Sequence, residues 1–162
     1  MLEIKVVISW EKIGMSDLSK LKDKHEDSGV YMISGFHPVF GDDSLLYIGQ
    51  TKEQTFGDRF KQHKKWMKSE GEEGNLLVYV GRVFSINDDE DYKEKVWENI
   101  IEDVEALLIY FHTPPYNSRS VDKFPEPKND LRIINIGDYG DLYPEISHVA
   151  LRLDDSGIYE GE

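Results

Sequence analysis

"GVYMISGFHPVFGDDSLLYIGQTKEQTFGDRFKQHKKW", Gly29–Trp66, decides the fold of this chain. Two short runs rich in β-branched and aromatic residues, "GVYMIS" and "LLYIGQT", each read as a strand. Between them "GFHPVFGDD" carries glycine, proline and paired aspartates, which predicts a hairpin closed by a long loop. Phe56, Phe60, His63 and Met67 then recur at spacings of three and four, the period of a helix, so a helix is predicted from Phe56 to Lys68.

Upstream, "LEIKVVIS" reads as a strand, and "SDLSKLKDKHED" as a short polar helix with Ser16 as its N-cap. Downstream, "SEGEEGN" is a turn and "LLVYVGRV" a third strand, apolar almost throughout and therefore central. The acidic "SINDDED" offers caps for the longest helix, Asp91–Phe111, which "TPPYN" stops. A proline-rich linker ("KFPEPKND"), the strand-like "LRIINIG", a turn around "GDYGDLYP", "SHVALRL" and a frayed end follow. The predicted class is α+β: a small three-stranded, mostly antiparallel sheet flanked by helices, with an extra strand at each end. The expected organisation is an N-terminal extension over 1–28, a core domain over 29–118, and a C-terminal extension over 119–162 in the same globular unit.

With 162 residues the chain fits one domain, and 39% hydrophobic content sets it among globular rather than disordered proteins. There is no cysteine, which excludes disulfides and thiolate metal ligands and fits a reducing cytoplasm. "MLEIKVVISWEK" is broken by Glu3 and Lys5, so neither a signal peptide nor a membrane span is expected there. A net charge of −13 should repel polyanions as a whole. Yet from Lys52 to Lys68 six bases face only Glu53 and Asp58. That run is either one basic helix face on an acidic protein or a local phosphate footprint built on Lys52, Lys61, Lys64 and Lys65.

In "WENIIEDVEALLIYFH", Trp97, Ile101, Val104 and Leu108 form a helical stripe, and Glu105 lies on its edge. A carboxylate near a core is costly unless it is paired, hydrogen-bonded or metal-bound. Glu105 is therefore either salt-bridged to Arg59 or Arg82, or a metal ligand. Arg59 and His63 stand one turn apart and project to one side, as a surface feature or as part of a site. Tyr31 and Tyr47 fit the edge of a core as well as a cleft, and Asn117 fits a turn as well as a site.

Taken together, these residues form a pattern that resembles the GIY-YIG nucleases. Gly29-Val30-Tyr31 is similar to the first signature and Tyr47-Ile48-Gly49 matches the second. Arg59 followed by His63 resembles the family's R-x-x-x-H, Glu105 its metal-binding glutamate, and Asn117 in "PPYN" its asparagine. The resemblance runs from Gly29 to Asn117, a little over half the chain.

The resemblance implies an endonuclease that hydrolyses DNA phosphodiesters with one divalent ion, Mg²⁺ or Mn²⁺, held by Glu105. Such a hard cation prefers oxygen and keeps several waters, so one carboxylate can suffice. Arg59 would meet the scissile phosphate with a planar, permanent charge. Tyr31 or Tyr47 would orient or deprotonate the attacking water, His63 would bond a phenol or phosphate, and Asn117 would tie its loop to the site. Three departures stand out. Tyr31 and Tyr47 are farther apart than is usual in the family, and Gln50 stands where some relatives have lysine. No appended DNA-binding module is recognisable, so specificity would come from the chain's own extensions or from a protein partner. RNA is the alternative nucleic acid, and a catalytically quiet domain serving as an acidic protein-interaction module is the alternative function.

Overall fold

The computed structural model describes residues 3–69, 76–85, 93–123, 125–126 and 130–150, apart from the side chains of 64–69, 85 and 93–99. The turn expected over 69–75, the capping segment before the long helix and the frayed end therefore lie largely outside the described residues. The fold is α+β. Its strands are β1 (Glu3–Ile13), β2 (Val30–His37), β3 (Gly41–Gln50), β4 (Leu77–Ser85), β5 (Asp130–Gly137) and β6 (Glu145–Ser147). Helices α1 (Phe56–Ser69) and α2 (Lys93–His112) match the expected helices to within two residues at each end. Among the described residues no helix is long and apolar enough to cross a membrane.

The strands form one six-stranded sheet in the order β3-β2-β4-β1-β5-β6. This corrects the expectation of a small three-stranded sheet. β1 is no peripheral addition: it pairs antiparallel with β4 and parallel with β5, and so joins the C-terminal strands to the rest. Alternate β1 residues Ile4, Val6, Ile8 and Trp10 are buried, and the Trp10 indole donates to Asn135 Oδ1 across 2.9 Å. Buried on its inner face and bonded on both edges, β1 is as central as β4.

Two further differences follow from local hydrogen bonding. The helix expected over "SDLSKLKDKHED" is only a 3₁₀ turn at Leu18–Lys20, because the Asp23 carboxylate captures the backbone N–H groups of His25 and Glu26 and so competes with helix propagation. The hairpin connector is mostly strand rather than loop. β2 reaches His37, β3 resumes at Gly41, and register shifts after Ile33 and Gly35 absorb the extra residues as bulges.

The sheet separates two apolar layers. Tyr31, Ile33, Val78 and Val80 pack with Leu18, Phe56 and Phe60 beneath α1. Val30, Met32 and Ile48 face the other way, onto Ile101, Val104 and Leu108 of α2. The segment before β2 fixes α1 in place: Phe56 N–H donates to Asp27 O and Gly57 N–H to Leu21 O, both at 2.8 Å. Those bonds occupy donors that a helix start leaves open.

Candidate active site

β2 and β3 place the tyrosines. Tyr31 is directly opposite Gly49 and Ile33 opposite Tyr47, so both phenols stand on the α1 face with ring centroids 6.1 Å apart. The glycine of Tyr47-Ile48-Gly49 has a steric reason. A Cβ at Gly49 would lie 2.4 Å from the Tyr31 hydroxyl oxygen and 2.9 Å from the Tyr47 ring, where only hydrogen fits. Gly29 is fixed twice over: its φ is +148°, and a Cβ there would meet Gly81 O at 2.2 Å. Thr51 then locks the two strand ends together, its hydroxyl accepting from Gly29 N–H at 2.8 Å.

α1 lays Arg59 and His63 over these rings. The Tyr31 hydroxyl is 2.6 Å from His63 Nε2, and Arg59 Nε donates to the Tyr31 oxygen at 3.3 Å. Burial, then the neighbouring guanidinium, lower the His63 pKa, so its imidazole is neutral near pH 7 and can accept the phenolic proton. The Tyr31 hydroxyl thus bridges Arg59, which donates to it, and His63. Tyr31 is 0% exposed, and burial, followed by the proximity of Tyr47, pushes its pKa well up. It is a neutral, fully enclosed phenol. Tyr47 is half-buried. Arg59 Nη1 donates to Gln62 Oε1 at 2.7 Å, and Gln62 in turn donates to Gln54 at 3.1 Å. These glutamines were not expected; an exposed Gln three residues after an Arg on a helix gives no distinctive sequence signal.

Glu105 comes from the opposite layer: α2 packs on the face of the sheet away from α1, against strands that include the edge strand β3. The side chain of Gln50, last residue of β3, lies near Glu105 and lowers its carboxyl pKa. Arg59 and Glu105 feel each other's charge: the guanidinium lowers the carboxyl pKa, while the carboxylate raises that of Arg59. Burial, reinforced by the nearby Glu102 carboxylate, outweighs Gln50, Arg59 and Arg119 and lifts Glu105 from 4.5 to about 7. Neither expected salt bridge forms among the described residues: no ion pair joins Glu105 to Arg59, whose Nε and Nη1 go to Tyr31 and Gln62, and Arg82 is engaged with Glu11 at 2.8 Å and Asp27 at 3.0 Å.

Asn117 clamps the second signature from outside. Its Oδ1 accepts from Ile48 N–H at 2.9 Å and its Nδ2 donates to Ile48 O at 2.8 Å. Tyr116 N–H adds a bond to Leu46 O at 3.0 Å. The amide thus plays the part of a neighbouring strand for an otherwise open edge. Replacing Asn117 with Ala leaves both Ile48 backbone groups unpaired, and urea unfolding should show a loss of about 2 kcal/mol.

The basic run is less free than its sequence suggests. Lys52 is ion-paired with Glu102 of α2, and Lys61 lies 3.8 Å from Asp58. The side chains of Lys64 and Lys65 are outside the described residues. A groove of about 340 Å³ lined by Gly29, Thr51, Lys52, Thr55, Asp58 and Ile101 flanks the polar cluster without including its tyrosines, Arg59 or Glu105.

Compared with protein-family models, curated proteins and solved structures, the chain matches none of them.

Proposed function

We propose that this chain is a metal-dependent endonuclease of the GIY-YIG type, acting on DNA. The observation that supports the reading most is the cluster of Arg59, Tyr31, His63 and Tyr47 at the two signatures, with Arg59 Nε 3.3 Å and His63 Nε2 2.6 Å from the Tyr31 hydroxyl. Within the larger sheet, β3, β2 and β4 are consecutive antiparallel neighbours carrying both signatures, in keeping with a GIY-YIG-like core over 29–118.

The donor set fits a divalent ion. Among the described residues no group of three or more His, Cys, Asp or Glu could hold a metal, so the ion would rely on Glu105, neutral oxygens and water. Mg²⁺ and Mn²⁺ accept that arrangement. The half-buried carboxylate also gains from a cation, which repays the desolvation that now lifts its pKa. When bound, the ion supplies Lewis-acid stabilisation of a phosphate oxygen and of the leaving 3′ oxygen.

The chain's own groups do the rest. Arg59 presents Nη2, which makes no hydrogen bond among the described residues, and Nη1, whose present acceptor is the neutral Gln62. A phosphate oxygen can replace that amide and gain a charge-assisted bond. Tyr31, enclosed and bonded on both sides, orients Arg59 and His63 rather than meeting water. Tyr47 is the phenol placed to orient the nucleophile. Asn117 holds the Tyr47 strand and takes no part in bond breaking.

Purified protein with Mg²⁺ or Mn²⁺ should nick plasmid or branched DNA, and RNA of matching form serves as the competing substrate. Tyr47→Phe should slow nicking more than Tyr31→Phe; the reverse order would reassign the water to Tyr31. Because protonation of Glu105 competes with the ion, the apparent metal affinity should fall as the pH drops through about 7, which a metal titration at several pH values measures.

A second reading, a quiet domain that binds a protein, is favoured by the hairpin tip. Phe36, Val39 and Phe40 are 59%, 79% and 68% exposed on a chain of net charge −13. That reading requires no cleavage of any nucleic acid and a stable partner that Phe40→Ser releases.

A further inference from the structure

Gln50 ends β3, paired with Val30 and so directed to the α2 layer. Its side-chain amide does two things at once. It lies near Glu105, whose carboxyl pKa it lowers, and its Oε1 is buried with no hydrogen-bond partner. Leaving a buried carbonyl oxygen unpaired costs about 1–3 kcal/mol, so native proteins keep few such atoms. This one belongs to the side chain that lowers the pKa of the half-buried Glu105 carboxyl.

An amide oxygen beside a carboxylate is a donor set that hard cations use: Asn and Gln carbonyls are ordinary ligands of such ions. The surroundings call for a second oxygen. Arg59 and Arg119 bring positive charge to Glu105, and the nearby Glu102 carboxylate is already paired with Lys52, so a cation held by one carboxylate alone gains from a further oxygen. Among the described residues no group of three or more His, Cys, Asp or Glu is placed to hold a metal.

We propose that Gln50 is a metal ligand, its Oε1 and the Glu105 carboxylate together forming a two-residue site for Mg²⁺ or Mn²⁺. The inference rests on the reading of Glu105 as the metal-binding carboxylate. The amide N–H side of Gln50 holds the carboxylate in orientation while the oxygen side faces the ion. The remaining positions of the coordination sphere are water and substrate oxygen.

Mn²⁺ binding without DNA tests this, with free Mn²⁺ followed by its electron paramagnetic resonance and each variant's fold checked by thermal melting in EDTA. Wild type should bind Mn²⁺ and Glu105→Ala should not. Gln50→Ala should weaken binding by roughly 10- to 100-fold. Gln50→Glu, which restores an oxygen but not the N–H donor, should bind at least as tightly as wild type. If Gln50→Ala binds like wild type while Glu105→Ala does not, the proposal fails and the role of Glu105 stands. If Gln50→Glu is as weak as Gln50→Ala, Gln50 acts only by bonding Glu105, and the ligand claim fails. A wild type that binds no Mn²⁺ overturns both.

Discussion

Arg59→Ala is expected to remove metal-dependent DNA cleavage, with a loss on the order of 10³-fold in turnover at saturating Mg²⁺. Two losses add. The scissile phosphate is deprived of its fixed cation, and the Tyr31 oxygen loses the donor that holds the phenol toward His63. Arg59→Lys should recover only a small part. A single ammonium cannot keep the Nε bond to Tyr31 and also present a planar pair of donors to phosphate. Thermal melting should show both variants folded, because the Tyr31 ring is held independently by Phe60, 4.9 Å away, and by its fit over Gly49. Nicking that persists in Arg59→Ala at the wild-type rate would assign the activity to another protein in the preparation.

The second large effect is at Glu105, and it has two opposite signs. Glu105→Gln removes the anionic ligand, so cleavage should vanish and added Mn²⁺ should no longer raise the melting temperature. In the absence of metal, however, the variant should be the more stable protein. Burial raises the carboxyl pKa in the folded chain from 4.5 to about 7, so the unfolded chain releases this proton first as pH rises. Native stability is therefore full below pH 4.5, declines between 4.5 and about 7, and is level above that. A neutral amide carries no such penalty. Above pH 7 the variant should gain up to about 3 kcal/mol over metal-free wild type, the energy of that pKa difference. Urea unfolding in EDTA at acid and alkaline pH measures it. Equal stability at both would mean that the carboxylate is well solvated and not poised for a cation.

Much of this architecture was legible from local pattern. Phe56, Phe60 and His63 fall on one face of α1 because a period of three and four leaves no other choice, and Tyr31 and Tyr47 share a sheet face by strand alternation. That Asn117 ties its loop to the site was an implication of the resemblance alone, and its amide brackets Ile48 on both backbone groups. The sequence was silent where partners lie far apart in the chain. Nothing in "LEIKVVIS" indicates that it pairs in parallel with residues 130–137, because parallel pairing leaves no turn signature. The same holds for Gln50. Read alone it is a polar residue at a strand end, and only the approach of α2 brings it near a half-buried carboxylate. The loop expected at the hairpin became strand because bulges accommodate extra residues without giving up pairing.

Everything catalytic depends on two layers of the fold reaching one phosphate around the rim of β3. A crystal soaked with Mn²⁺, with diffraction data collected at an anomalous wavelength, tests this most directly. It should show an ion on the Glu105 carboxylate, on the side that faces Arg59. Manganese bound only at other acidic residues, with the carboxylate bare, would contradict it.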